Sequence, residues 1–429
     1  MEKKRTLIIS YYWPPAGGPG VQRWLKFVKY LPEFNVEPIV YIPSNPNYPL
    51  VDETLLSEVA TDLTIIKQPI SEPYKFASFL SKKNTKSISK GLITEAKKQS
   101  LIERLLLLIR GNFFIPDARK SWVKPSVKYL STYIQDFNID TIITTGPPHS
   151  LHLIGMQLKA KLGVKWLADF RDPWTTIAYH KELKLTQKAK QKHITLERQV
   201  LQNADQIIVT STITKQEFQE KTKQPITVIT NGYDVEKTEV ISLDKKFTLA
   251  HIGSLLAKRN PEVLWNVLQE LTEENQEFAK YFELKLVGAV SENILKSIKL
   301  YRLSDYLNKE GYVSHNKAIG FQKKAQVLLL IEIDSEETKC IIPGKLFEYM
   351  VSNRPIVALG PKGSDVEKII VETNTGNYFS YQDYDNLKNI LLKHFNDFQE
   401  NKLHTNAIGL QKYSRKELTS VLADLIHSI

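Results

Sequence analysis

Short, almost unbroken apolar runs alternate with amphipathic segments of helix length, and the alternation starts twice in this chain. The first series places strands at Thr6–Ser10, Pro38–Ile42, Leu63–Lys67, Asp140–Thr144, Val164–Ala168, Gln206–Val209 and Ile226–Ile229. Helices fill most of the gaps, for instance Val21–Leu31, Leu151–Leu162 and Glu182–Asn203. Strands that are apolar on both faces and separated by helices belong to a parallel, doubly wound sheet. The second series places strands at Phe247–His251, Glu283–Val287, Ala325–Ile331 and Pro355–Leu359, with helices near Pro261–Leu271, Glu292–Leu300 and Lys345–Val351. The fold class is therefore α/β, and 429 residues suffice for two such domains in tandem, each with its own core. The joint is expected between Asn231 and Lys246, where NGYD makes a turn and a polar stretch follows. The last residues carry a helical stripe of Leu418, Val421, Leu422 and Leu425. No repeat of solenoid period is visible.

Composition narrows the setting. Hydrophobic residues make up 42% and charged residues 24%, as in an ordinary globular protein. Cys340 is the sole cysteine, so an intrachain disulfide is impossible and a reducing, cytoplasmic location is expected. The opening MEKKRTLIISYYWPP has basic residues before an apolar run, but the run is short, lacks a small-residue cleavage site and breaks at Pro14-Pro15. It reads as a buried first strand rather than a leader. No apolar stretch approaches the roughly 20 residues needed to cross a bilayer.

The net charge of +11 is uneven. Between Lys75 and Arg104, eight basic residues stand against Glu95 and Glu103, a local excess of six. Leu105 to Ile109, Arg110 and Phe113-Phe114 follow. Basic residues flanking a greasy patch suit an anionic membrane surface, so Lys75–Phe114 is a candidate for peripheral attachment to the inner face of the cell membrane. The alternative is a lysine-rich loop followed by a helix whose leucines pack inward. Nucleic acid is not expected as a partner, because no recognised module or aromatic stacking signature accompanies the charge.

Ligands of open α/β sheets bind outside the carboxyl ends of the strands, so the loops there are the ones to read for chemistry. After the first strand, Tyr11-Tyr12-Trp13-Pro14-Pro15-Ala16-Gly17-Gly18-Pro19-Gly20 leads into a helix. Glycine there permits close backbone approach, yet the spacing is neither the dinucleotide fingerprint nor a P-loop. NAD binding and ATP hydrolysis drop in rank accordingly. The loop Thr145 to His152 offers His149 as a ligand-facing or orienting group, and Ser150 as a helix cap. Next comes Asp169-Phe170-Arg171-Asp172-Pro173-Trp174. Asp172 before Pro173 fits an N-cap with proline at the first helical position, and Asp169 with Arg171 fits a loop ion pair. Two carboxylates beside Trp174 equally suit a hydroxylated acceptor, which makes His149, Asp169 and Asp172 the catalytic candidates.

In the second series, His251-Ile252-Gly253 ends a strand, and Lys258 and Arg259 place positive charge just before a helix expected from Pro261. The stretch PGKLFEYMVSNRPIVALG, Pro343 to Gly360, then runs from a turn through a helix into a buried strand. The start of such a helix suits a phosphate, and Glu348, one turn in, suits sugar hydroxyls. The plainer alternative is that Gly344 makes a turn and Glu348 complements the helix dipole.

The tandem α/β domains, the Gly17-Gly18 loop, ITNGYD at the joint, HIGSLLAKR and KLFEYM together resemble glycosyltransferase family 4. The similarity runs over nearly the whole chain and is clearest in the second domain and in the Gly17-Gly18 loop. The resemblance implies the GT-B fold, two Rossmann-like domains facing each other across a cleft. Residues 1–233 would form the acceptor domain, joined by a C-terminal helix 411–429, and 234–410 the nucleotide-sugar donor domain. It further implies a retaining transfer of a sugar from a nucleotide diphosphate to an acceptor hydroxyl, without a cofactor or metal. Partners would be a nucleotide sugar and a glycan or lipid-linked acceptor, in surface polysaccharide or lipid-linked glycan synthesis.

By position, Glu348 would hold the donor ribose, and the backbone of Gly344, Lys345 and Leu346 would lie against the phosphates. Arg259 or Lys258 would neutralise the diphosphate, with Gly253 near the ligand, and Gly17 and Gly18 would face the leaving phosphate. Two positions depart from the pattern. Cys340 stands where the family has a glutamate that contacts the transferred sugar, with Asp334, Glu336 or Glu337 as substitutes from the preceding loop. Ser254 stands where arginine is common. The alternatives are a nucleotide-sugar-binding partner with impaired catalysis, and a sugar-nucleotide epimerase of the same fold.

Overall fold

The computed structural model describes residues 3–72, 101–177, 180, 183–234 and 242–429. They fall into two compact units, one of Met1–Asn231 with Arg415–Ile429, the other of Gly232–Ser414.

The first unit is built on β1 (Lys4–Ile9), β2 (Val36–Pro43), β3 (Thr64–Gln68), β4 (Thr141–Gly146), β5 (Lys165–Phe170), β6 (Gln206–Val209) and β7 (Ile226–Val228). They lie in the order β3-β2-β1-β4-β5-β6-β7, and every pair is parallel. The order reverses between β1 and β4, the switch point where such sheets bind ligands. The helices are α1 (Pro19–Tyr30), α2 (Leu101–Phe113), α3 (Val123–Asp136), α4 (Ser150–Leu162), α5 (Gln187–Asn203) and α6 (Thr212–Gln219). Strand residues alternate between two cores. Leu7, Ile9, Ile142, Trp166 and Ile207 face one side, with Leu130, Leu158 and Val200 of α3, α4 and α5. Ile8, Val40, Ile143, Leu167 and Ile208 face the other, with Trp24 and Val28 of α1.

The second unit contains β8 (Phe247–Ile252), β9 (Phe282–Val287), β10 (Leu307–Glu310), β11 (Val327–Ile331), β12 (Ile356–Leu359) and β13 (Gly376–Phe379). Their order is β10-β9-β8-β11-β12-β13, again all parallel, with the switch point between β8 and β11. Around them lie α7 (Glu262–Glu274), α8 (Gln276–Tyr281), α9 (Glu292–Leu300), α10 (His315–Lys324), α11 (Lys345–Met350), α12 (Asp365–Thr373) and α13 (Tyr384–Gln399). Two-sided burial explains why β11, VLLLI, is apolar at every position.

The final helix, α14 (Arg415–Ser428), belongs to the first unit. Its Leu422, Ala423 and Ile426 are buried against Trp24, Val28 and Leu31. Burying each of the two large side chains contributes about 1.5–3 kcal/mol. Of the basic stretch, Lys75 to Ser100 lies outside the described residues. On α2, Leu107 is buried, whereas Leu108, Ile109 and Phe113 are 40%, 36% and 71% exposed. Asn112 pins α2 to the chain entering α5, its Oδ1 accepting from Thr186 N and Oγ1, both at 2.7 Å. Among the described residues no helix is long and apolar enough to cross a membrane.

Candidate functional site

At the first unit's switch point the loops after β1, β4 and β5 meet. Gly18 caps α1 with φ 106°, in the region that favours glycine. Gly17 N–H donates to Leu50 O at 3.0 Å, which ties this loop to the segment after β2. Gly20 lies against the guanidinium of Arg171: a Cβ there would stand 1.5 Å from Nη1, so a larger residue would displace that side chain. Arg171 also bonds Asp172, Nη2 to Oδ2 at 3.3 Å, so the expected pairing with Asp169 is replaced by one with its neighbour.

Asp169 is instead a buried anchor. It accepts from Arg23 Nη2 at 2.9 Å, Arg23 Nε at 3.4 Å, Trp24 Nε1 at 2.8 Å and Thr145 Oγ1 at 2.9 Å. Both carboxylate oxygens are engaged and the residue is wholly buried, so its charge binds α1 to the sheet. Asp172 is part-exposed, and the chain after it runs as bends. The helix expected at Pro173 does not form, because Thr175 N and Oγ1 are held by Glu197 of α5 at 3.0 and 2.8 Å. Ser150 is likewise not the cap of α4. Its own N–H and hydroxyl donate to Asp117 at 2.9 and 2.8 Å, and His149 occupies the cap position.

His149 lies 5% exposed with its ring stacked on Trp174, centroids 4.9 Å apart and planes 2° from parallel. Neither ring nitrogen has a hydrogen-bond partner among the described residues. Burial, with the charges of His152 and Arg171, holds its pKa well below the ordinary histidine value. The neighbouring His152 stacks on Phe170 at 4.3 Å and bonds Thr144 Oγ1 at 2.9 Å, and burial lowers it to about 3. His193 accepts from Trp174 Nε1 at 3.1 Å. The site is thus aromatic, dry and uncharged at its centre, suited to a neutral, hydroxylated molecule.

The second unit's switch point differs. Gly253 leaves β8 with φ 120°, and a Cβ there would lie 3.1 Å from Nζ of Lys345. That ammonium reaches back from α11 to Ile252 O at 3.0 Å and His251 Nε2 at 3.2 Å. His251 Nδ1 sits 3.1 Å from Leu329 O, so Nδ1 carries the proton and Nε2 accepts from the lysine. Burial, and after it the charge of Arg259, lowers Lys345 to about 7. Arg259 closes a short turn, Ala257–Arg259, next to exposed Lys258. Its Nε is buried with no hydrogen-bond partner among the described residues, and desolvation pulls its pKa below the usual arginine value. Two desolvated cations acting on one another at one strand end have the chemistry to hold an anion.

Glu348 projects from α11 with Oε2 accepting from Gln322 Nε2 at 2.8 Å and Oε1 3.8 Å from His315 Nε2. Both partners come from α10 and were not foreseen. The helix is short: Leu346 N–H donates to Pro343 O at 3.0 Å and Phe347 N–H to Gly344 O at 3.2 Å. Leu346 is also wholly buried, so its amide is committed to the turn. Cys340 is part-buried, its Sγ 3.8 Å from Glu337 O. Among the described residues no cluster of three or more His, Cys, Asp or Glu side chains has metal-binding geometry.

Comparison with known proteins agrees with this architecture. Residues 92–237 match the model of Glycosyltransferase Family 4, a match centred on the first domain, although the motif resemblance was clearest in the second. No curated protein matches the chain. Among solved structures, Anabaena HepE in complex with UDP superposes with a TM-score of 0.62 at 12% identity, covering 99% of this chain and 100% of that one. A glycosyltransferase from Rickettsia africae gives 0.59 at 13% identity, covering 100% and 99%. A putative UDP-N-acetylglucosamine 2-epimerase from Listeria monocytogenes gives 0.56 at 12% identity, covering 99% and 96%. At such identities likeness speaks for the fold alone. The chain has the GT-B fold, and its residues 92–237 are similar to Glycosyltransferase Family 4.

Proposed function

We propose that this protein transfers a sugar, with retention, from a nucleotide-diphosphate donor to an acceptor hydroxyl. The observation that carries the donor assignment is the pair of desolvated cations, Arg259 and Lys345, at the switch point of the second sheet. Departure of a nucleoside diphosphate builds negative charge, and preorganised cations in a dry site stabilise it without reorganisation. Glu348, oriented by Gln322, holds the ribose. Gly344 and Lys345 supply the backbone at the phosphates, and Gly253 lets it approach. No metal is needed for charge neutralisation in this scheme. The first domain receives the acceptor at His149, Asp172 and Trp174, where a neutral imidazole exchanges hydrogen bonds with hydroxyls.

The acceptor is a glycan or lipid-linked glycan. The exposed Leu108, Ile109 and Phe113 of α2 support a peripheral position on an anionic membrane. A second reading, a nucleotide-sugar-binding protein with impaired catalysis, is favoured by one observation: a thiol at position 340 where the resembling family has a carboxylate.

A thermal-shift screen of nucleotide sugars, followed by an assay of nucleoside diphosphate release, tests both readings. Stabilisation by a nucleotide sugar, with release that depends on acceptor, supports transfer. Stabilisation without release under any acceptor supports the second reading, and absence of stabilisation by every nucleotide sugar overturns both.

A further inference from the structure

The second domain buries an acid that the donor assignment does not use. Glu332 follows Ile331 at the carboxyl end of β11, beside the switch point. It is 6% exposed and forms no ion pair among the described residues. Burying an acid without a cation partner opposes folding, and such groups persist where function needs them.

The carboxyl is anchored on one oxygen only. Tyr378 Oη donates to Oε2 at 2.7 Å, and Ser364 Oγ donates to the same atom at 3.2 Å. Gly360 closes that side, since a Cβ there would stand 2.6 Å from Oε2. Tyr381 Oη donates to the Glu332 carbonyl at 2.8 Å and fixes the main chain. Oε1 has no hydrogen bond among the described residues. Tyr378 Oη also lies 3.0 Å from Pro361 O, so its one proton has two acceptors. When it serves Pro361, a proton on Glu332 completes the chain. Burial pushes the acid up to about 7, against the lowering effects of Tyr378, Ser364 and Arg259. The carboxyl can therefore both donate and accept near neutral pH.

Arg259, on the loop after the adjacent strand β8, is close enough for its charge to act on Glu332, and its Nε is unpartnered. Of the acids of the loop before Cys340, two are engaged elsewhere and the third is exposed. Glu336 is 83% exposed and pairs with Lys339 at 2.7 Å, Glu337 is bonded by Ser335, and Asp334 is exposed.

Building on the donor assignment above, we propose that Glu332 reads a hydroxyl of the transferred sugar through Oε1, beside the diphosphate held by Arg259. A carboxyl is repelled by phosphate and matched by a hydroxyl, so this position sees the sugar and not the nucleotide. It is a specificity-determining residue, and it supplies the acid that position 340 lacks.

Calorimetry on the full chain with UDP, UDP-glucose, GDP and GDP-mannose tests this. For the nucleotide that binds, Glu332→Gln is expected to weaken the sugar conjugate about ten-fold and the free nucleoside diphosphate less than about two-fold. Tyr378→Phe keeps the acid, removes its anchor, and is expected to weaken the conjugate alone by about three-fold. It also serves if Glu332→Gln fails to fold. Equal losses for both ligands, or no loss for either, overturn the proposal while leaving the donor site intact. If the wild type binds neither UDP nor GDP, ADP and dTDP with their glucose conjugates are titrated in the same way, and binding of none of the four nucleoside diphosphates overturns the donor assignment itself, with which this proposal falls.

Discussion

The two switch points use charge in opposite ways. In the first domain the strong ion pair, Arg23 with Asp169, is sealed inside the structure, and the strand ends carry neutral histidines and aromatics beside the part-exposed Arg171–Asp172 pair. In the second, Arg259 and Lys345 are desolvated without a carboxylate bound to either among the described residues. A satisfied buried charge is scaffold. A desolvated cation with no carboxylate bound to it keeps charge to offer a ligand, which makes it the natural candidate for holding an anion.

The largest test of that contrast is Arg23→Ala. Removing one partner of a buried pair leaves Asp169 charged and uncompensated, and also removes the bond from Arg23 Nη1 to Thr230 O at 2.8 Å. Denaturant unfolding is expected to show a loss of about 3–5 kcal/mol. Arg259→Ala should do the reverse, leaving stability within about 1 kcal/mol. Affinity for a nucleoside diphosphate should fall about ten- to a hundred-fold, since a hydrogen bond to a charged group contributes about 1.5–3 kcal/mol. His149→Ala should leave that affinity unchanged while raising the acceptor KM. Nucleotide binding abolished by His149→Ala and untouched by Arg259→Ala would invert the assignment of the two domains.

A finer test uses Lys345. Burial and Arg259 hold its pKa at about 7, so near and above neutral pH a fraction of the molecules carry it uncharged. An anion bound beside it favours the charged form and raises that pKa. Nucleoside diphosphate binding at pH 7 to 8 is therefore expected to take up a fraction of a proton, read as a dependence of the calorimetric enthalpy on buffer ionisation heat. The uptake should vanish below about pH 6, where the lysine is already protonated. Release of protons across that range would remove Lys345 from the anion site. The smallest expected effect is that of Cys340→Ala, which should leave nucleoside diphosphate affinity within about two-fold, its thiol being turned to Glu337 O.

Much of the fold was legible because two-sided burial writes itself as apolar runs. The strands β10, LNKE, and β13, GNYF, were not read: each is an edge strand, part-exposed, without a continuous apolar stretch. Missing β13 had a consequence for the site. Tyr378 lies on it and Tyr381 just beyond, and these two tyrosines turn Glu332 from a loop acid into a fixed, buried one. An acid directly after VLLLI was the signal available. Asp172 shows the converse limit. Asp-Pro is a sound local signature for a helix start, but a distant carboxylate, Glu197, captures Thr175 and overrides it.

The arrangement of α14 bears on how the protein is made. The first domain's core includes Leu422 and Ile426, so its last layer is encoded nearly two hundred residues after Asn231. During synthesis the sheet β1 to β7 emerges first, yet the face of α1 that α14 covers stays open until the second domain has been translated. The second domain, continuous from Gly232 to Ser414, can complete itself first. A ribosome that stalls shortly before α14 would thus release a finished second domain attached to an unfinished first one. The first domain's core is therefore closed only once α14 has been made.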